Sequence, residues 1–237
     1  MKTVAVCSSR GAPGVTTTCL LLAAQLQASV LLEADLCGGV LAVRYGLGRE
    51  PGLVTLAAAH PHDPDGWLDH AQDAGGVPVL VGPDSAEAAQ SLWRSAGGRL
   101  TAIIQEAEGM AVVDCGRLWG RTQILDDADV VLVVTRPSAE EIVSTSHAIG
   151  SLHRTKPSSI VVALVGDGPY RASDVQEAVD CPVLCHLPED RPAAQHLRDG
   201  GASRRSLTRT RLVRAVAGLG EALAPIVTSV PEKVSVR

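Results

Sequence analysis

A doubly wound α/β domain, with a mainly parallel sheet and helices on both faces, is predicted by three features of the sequence. Short segments that are apolar on both faces alternate with stretches of helical pattern, as buried parallel strands require. A β-branched run at 3–7 stops at a small-residue turn, 8–14, and passes straight into a Thr triplet and an apolar helical run at 19–26. Carboxylates, Asp35 and Asp114, follow two later strand segments, on the edge where such sheets bind ligands.

The size and composition agree. A chain of 237 residues, 46% hydrophobic and 20% charged, is normal for one such globular unit. The expectation is a single domain over 1–224 with an irregular tail at 225–237. With three Trp, two Tyr and no Phe, the core must be built from Val, Leu, Ile and Ala. Only Lys2, Lys156 and Lys233 are lysines among 21 basic residues, a bias that fits a GC-rich bacterial genome better than a functional demand. A net charge of −5 argues against broad binding of nucleic acid and leaves room only for a local basic patch.

Six cysteines lie in apolar surroundings, and most read as small core residues in a reducing compartment. Cys181, Cys185 and His186 invite a metal, but strand alternation sends Cys185 and His186 to opposite faces and no second pair exists. His60, His62 and His70 read the same way, as a solvated loop before a metal site. The chain enters its first strand after Lys2, and no apolar run reaches ~18 residues. Neither a signal peptide nor a membrane span is expected, and the protein is predicted to be cytoplasmic.

After the first strand and helix, 29–32 is a second strand. A short helix is expected from about Gly52, and 60–76, rich in His, Asp and Pro, reads as a surface connection. A third strand at 77–81 precedes a helix capped at Asp84 or Ser85, with a second helical stretch at 98–107. Strands follow at 110–113, 129–135, 159–165 and 183–186. Helices are expected from 137–138 to about 152 and after Ser173-Asp174. Residues 188–192 read as a turn. The last helix is predicted over 206–223, where apolar residues fall on one side, and it should stop before Pro225.

The turn after the first strand carries the chemistry. Backbone N–H groups and a helix N-terminus facing an anion make a phosphate cradle. Against the pattern G-x-x-x-x-G-K-[ST], Gly14 and Thr16 match, Ser9 replaces the first glycine, and Val15 replaces the lysine. The loop is shaped to hold a nucleotide but lacks the side chain that neutralises its β- and γ-phosphates. Its candidate binding residues are Ser9, Arg10, Gly11, Ala12, Pro13, Gly14, Val15, Thr16 and Thr17. Thr16 is the candidate hydroxyl for Mg²⁺, Asp114 the second carboxylate, direct or through water, and Asp35 a ligand or an orienter of attacking water.

The order of these pieces resembles the MinD/ParA group of deviant-Walker P-loop ATPases, including its CpaE/TadZ-like branch, over nearly the whole chain. The family's K-G-G-x-G-K-[ST]-[ST] is similar to Arg10-Gly11-Ala12-Pro13-Gly14-Val15-Thr16-Thr17. Its D-x-D resembles Glu33-Ala34-Asp35, and its strand-borne Asp before a small turn resembles Asp114-Cys115-Gly116. ADVVLVVTRPS and LPEDRPAAQHLRDGG resemble two later family segments, the second placing Pro188 near an adenine.

The resemblance implies ATP or ADP with Mg²⁺, a nucleotide-sandwiched homodimer, and a catalytic role for Arg10 across that dimer together with Asp35. It implies a partner in cell division, chromosome partitioning or placement of pilus and secretion machinery. Val15, Arg10, Glu33 and the strand end Val165-Gly166-Asp167 depart from the family pattern. The readings carried forward are a slow or inactive ATPase acting as a switch and a nucleotide-independent scaffold. A dinucleotide oxidoreductase fits less well, because Gly11-Ala12-Pro13-Gly14 does not make G-x-G-x-x-G. A MinD-type membrane helix is not expected, since 225–237 has two prolines and no helical apolar stripe.

Overall fold

A computed structural model describes residues 1–10, 13–59, 66–154, 159–200 and 210–229. The first half runs β1 (Lys2–Ser8), α1 (Val15–Gln25), β2 (Val30–Glu33), α2 (Leu41–Tyr45), α3 (Leu53–Ala58), β3 (Gln72–Asp73), β4 (Pro78–Leu80) and α4 (Ala86–Glu106). The second half runs β5 (Met110–Arg117), α5 (Gln123–Asp126), β6 (Val130–Thr135), α6 (Ala139–His153), β7 (Ser159–Val165), α7 (Ala172–Val179), β8 (Val183–Leu187), α8 (Arg191–Arg198) and α9 (Arg211–Ser229).

The strands make one sheet in the order β3-β4-β2-β5-β1-β6-β7-β8, parallel except where β3 meets β4. The predicted doubly wound, mainly parallel sheet is therefore present. β1 lies at the centre between β5 and β6; the chain passes from β1 to β2 on one side and, after β5, crosses β1 to β6 on the other. That reversal opens a crevice beyond the strands' C-terminal ends.

Alternate residues of each strand feed two cores. Val4, Val6, Leu31, Val112 and Leu132 pack with α1, α8 and α9 on one face. Ala5, Cys7, Leu32, Val113 and Val131 pack with α3 to α7 on the other. Cys181 joins the second core and Cys185 packs against the first. Thr3 pins the N-terminal end of β1 to the start of β6: its N–H donates to Asp129 Oδ2 at 2.8 Å, and Asp129 N–H returns a bond to its hydroxyl at 3.0 Å.

Several expectations are corrected by packing. The two helical stretches before β5 are one helix, α4, which passes through Gly97-Gly98 because Trp93, Leu100 and Ile104 bury its face. The connection at 60–76 is not simply a loop. His60 and His62 lie outside the described residues, but Leu68–His70 forms a 3₁₀ turn and Gln72–Asp73 adds a strand. Trp67 and Ala74 are buried there, and His70 Nδ1 bonds Thr55 Oγ1 at 2.7 Å.

Residues 188–192 do not end in a turn. Asp190 caps α8 by accepting from Ala193 N–H at 3.1 Å, and Pro192 sits in the first turn, where its missing N–H has no helical partner to lose. The last helix does not stop at Pro225 but continues to Ser229, because its buried stripe extends from Leu219 and Leu223 to Val227. Residues 206–209 and 230–237, parts of that predicted helix and tail, lie outside the described residues. α9 is long and apolar enough by composition to cross a membrane, yet it packs on α1 and the sheet.

Candidate functional site

β1 delivers the chain to the middle of the C-terminal edge. Gly14 then turns it into α1 with φ of +93°, a left-handed conformation that glycine adopts without a side-chain clash. Its carbonyl accepts the first helical bond from Thr18 N–H at 2.9 Å. The N-cap residue, Gly14, has no side chain to cap α1, and a helix start of this kind offers its first-turn amides to an anion.

Asp114 stands opposite that turn. It is 1% exposed; the Thr16 hydroxyl donates to its carboxylate and Gly116 N–H donates to Oδ1 at 3.0 Å. Burial pushes its pKa up to about 7, against the pull of those two bonds, and the nearby charges of Glu33 and Asp35 add to the rise. Near neutral pH this carboxyl is therefore poised between its two protonation states.

Asp35 completes the cluster from the neighbouring strand. Cys37 N–H donates to its Oδ1 at 2.8 Å, and burial raises its pKa against that bond. Its carboxylate lies against the Cα of Gly116, whose φ is +54°; a β-carbon there would collide with the Asp35 oxygens. Positive φ and close approach together make this a glycine position.

Glu33 is the register partner of Asp114 but does different work. It is 2% exposed. Its Oε1 accepts from Val40 N–H and, at 2.7 Å, from Leu41 N–H; its Oε2 accepts from Gly82 N–H at 3.1 Å. The carboxylate ties the end of β2 to the start of α2 and to the loop after β4. Burial raises its pKa while the three amides oppose the rise.

The remaining candidate residues divide. Gly11 and Ala12 lie outside the described residues. Pro13 is buried, while Thr17 is half-buried and Arg10 exposed at the crevice. Ser9 turns away from the loop: its hydroxyl bonds Thr145 Oγ1 of α6 at 3.0 Å, which donates on to Thr135 Oγ1 at 2.9 Å. Val15 is the first residue of α1; its side chain is 6% exposed and joins the core on the α1 face, because an isopropyl group gains by leaving water. Pro188 is half-buried at the end of β8, three strands from β1 on the same edge.

Charged residues that the motif comparison passed over also gather here. Arg117 and Arg136 stand at the ends of β5 and β6, and Glu141 of α6 faces them and Arg10. The available signal was an arginine within a few residues of the end of each of two apolar runs, 110–113 and 130–134. An open cavity of about 260 Å³ lies beside α6, lined by Ser9, Trp119, Arg121, Ser144 and Ser151, on the opposite face of the sheet from Asp114. Among the described residues no group of three His, Cys, Asp and Glu side chains is arranged to hold a metal by itself. A cation here would need ligand oxygens as well as Thr16 and the two aspartates.

The strand order and the glycine turn at the head of α1 give a fold that matches solved structures of MinD and ParA ATPases. The chain is similar to a ParA family ATPase from Chlorobium tepidum, with TM-score 0.78 and 18% identity over 93% of this chain and 97% of that one. It is similar to the septum site-determining protein MinD complexed with Mg-ADP from Pyrococcus horikoshii, with TM-score 0.75 and 19% identity over 96% and 99% of the two chains. It also resembles the MinC:MinD cell division complex of Aquifex aeolicus, with TM-score 0.73, 15% identity and 98% of each chain covered. No family model matches the sequence, and a search of curated proteins finds no match.

Proposed function

We propose that this protein is a MinD/ParA-like nucleotide-binding protein, a slow or inactive ATPase that works as a dimeric positioning or regulatory switch. Division, partitioning and placement of envelope machinery are the processes it would serve. The observation that carries the reading is the pairing of Thr16 with buried Asp114 at the open head of α1. A hydroxyl and two carboxylates, Asp114 and Asp35, are hard oxygen donors of the kind Mg²⁺ takes together with phosphate oxygens. The MinD neighbour with Mg-ADP and the MinC:MinD assembly support nucleotide, metal and a protein partner as the corresponding ligands here.

Thr16, Asp114 and Asp35 are the residues that would hold Mg²⁺, which would supply positive charge against the phosphates. The chain's own contribution is to orient Thr16 through Asp114, to offer the α1 amides to phosphate, and to keep Asp35 beside the metal position. With Val15 turned into the core, the loop brings no ammonium to the phosphates, and hydrolysis loses a charge-stabilising element.

Burial of Val15 also favours a second reading, a scaffold that keeps the fold and dispenses with nucleotide. Calorimetric titration of the full chain with ATP or ADP, with and without Mg²⁺, separates the two. Mg²⁺-dependent binding is the expected result. An absence of heat and of any thermal shift at millimolar nucleotide would leave the scaffold.

A further inference from the structure

On the face of the sheet away from Asp114, the open cavity of about 260 Å³ lies between α6 and the loop that follows β5. That loop is fastened to the end of β1, where Leu118 N–H donates to the Ser8 carbonyl at 2.9 Å. It then turns sharply, with Trp119 N–H donating to the Arg117 carbonyl at 2.7 Å. From α6 the wall receives Ser144, Ala148 and Ser151, spaced four and three residues apart and so on one side of the helix. Ser9 and Arg121 also line it.

The charge in this wall is already answered. Arg121 Nε donates to Asp126 Oδ1 at 2.6 Å, its Nη2 pairs with the same oxygen, and its Nη1 donates to the Ser151 carbonyl at 3.0 Å. No other described lining residue carries a charge. Arg117, whose guanidinium lies 4.3 Å from the centre of the Trp119 ring, is opposed by Glu141 of α6.

The hydroxyls and the indole are not so provided for. Thr145 gives its hydroxyl proton to Thr135 at 2.9 Å, so in the 3.0 Å contact between Ser9 and Thr145 it is Ser9 that donates. Ser9 is left with lone pairs and no proton to offer. The Ser144 and Ser151 hydroxyls, both half-buried, make no hydrogen bond with a described residue. Trp119 is 64% exposed, whereas Trp67 and Trp93 are buried, and an indole left in water forgoes a large apolar gain. Arg117 covers one face of its ring and leaves the other.

We infer that this cavity is a binding site for an uncharged, flat, single-ring molecule that carries at least one N–H or O–H donor. The ring stacks on the open face of Trp119, its donor meets Ser9, and Ser144 and Ser151 answer its other polar atoms. The site lies apart from the phosphate cradle and does not depend on the nucleotide reading.

The test is saturation-transfer NMR on the full chain titrated with nicotinamide, an uncharged flat ring bearing an amide donor. Saturable binding with a Kd near ~1 mM is expected for a ligand of this size. Nicotinate, the same ring with a carboxylate, should bind at least roughly fivefold more weakly, because Arg121 is committed to Asp126 and the added charge finds no partner. Trp119→Ala should weaken nicotinamide binding about fivefold through loss of the stack. Ala148→Phe should abolish it by filling the cavity. Nicotinamide that fails to saturate below ~20 mM, nicotinate that binds equally well, or an affinity that either folded variant leaves unchanged overturns the inference. Trp119 is an exposed position, so Trp119→Ala decides the matter even if Ala148→Phe does not fold.

Discussion

Replacing Asp114 by Asn should stabilise the free protein at alkaline pH while removing the Mg²⁺-dependent part of nucleotide binding. The sign follows from linkage. The Asp114 carboxyl titrates near 7 in the fold and near ~3.9 in an unfolded chain. Below both values each state holds the proton and the group is neutral to stability. As pH rises between them the unfolded chain loses its proton first, so folding becomes progressively less favourable until the native carboxyl ionises too. Between pH 5 and pH 8 this amounts to about 2.5 kcal/mol of lost stability, at 1.36 kcal/mol per unit of pKa difference. Asn is nearly isosteric and its carbonyl still accepts from Gly116 N–H and the Thr16 hydroxyl.

The stability difference between Asp114→Asn and wild type should therefore grow by roughly 2 kcal/mol from pH 5 to pH 8. Urea unfolding followed by tryptophan fluorescence measures it, since Trp67 and Trp93 are buried at 5% and 7% exposure. Taking the difference between variant and wild type cancels most other titrations. Glu33 and Asp35, whose pKa values are also raised, would relax in the same direction once Asp114 is neutral. A stability difference that stays flat with pH, or that shrinks toward pH 8, refutes the assignment of a buried, uncompensated charge to Asp114.

Two further outcomes are expected. Val15→Lys should lower the unfolding free energy by about 1–3 kcal/mol, because a buried apolar contact is lost and an ammonium must leave the core. The same variant should bind Mg-ATP roughly tenfold more tightly, and equal affinities in paired titrations would count against the switch and for the scaffold. Gly116→Ala should destabilise the fold by at least ~1 kcal/mol through left-handed strain and push Asp35 aside; a wild-type melting temperature with intact Mg²⁺-dependent binding would show that neither constraint holds.

What was legible in the sequence was whatever depends on a residue's own segment. Residues 130–135 are all buried, and an unbroken apolar run can hardly be placed otherwise. The turn from β1 into α1 was legible because Gly14 and the Thr triplet carry both the backbone geometry and the chemistry. What was not legible depends on partners distant in the chain. Gly97-Gly98 looks like a helix break until Trp93 and Leu100 bury the face that spans it. Pro225 looks like a stop until Val227 extends the buried stripe. Glu33 reads as a departure from a metal-site pattern, yet its work is done by Val40, Leu41 and Gly82 amides that no local pattern reveals. Val15 occupies the lysine's place in the motif but takes its environment from the core.

The four buried or half-buried carboxylates along the central strands show how structural and available acids can be separated on one sheet. Asp129 sits at the N-terminal end and accepts from both the backbone and the hydroxyl of Thr3. Glu33 has three amide donors shared between its two oxygens. Both are satisfied, and removing either would leave donors stranded in the interior. Asp114 accepts one amide and one hydroxyl, and that hydroxyl can rotate away. Asp35 accepts from its own loop alone. A carboxylate buried with so few donors is destabilising unless a cation or a proton arrives, and Asp114 meets that need with a proton near neutral pH. A divalent cation held by phosphate oxygens would meet it better, releasing the proton and restoring Thr16 as a ligand. Under the nucleotide reading, the instability built into this edge is thus the reservoir that metal and nucleotide draw on. It is largest at Asp114, whose pKa rises to about 7, whereas at Glu33 three amide donors oppose it.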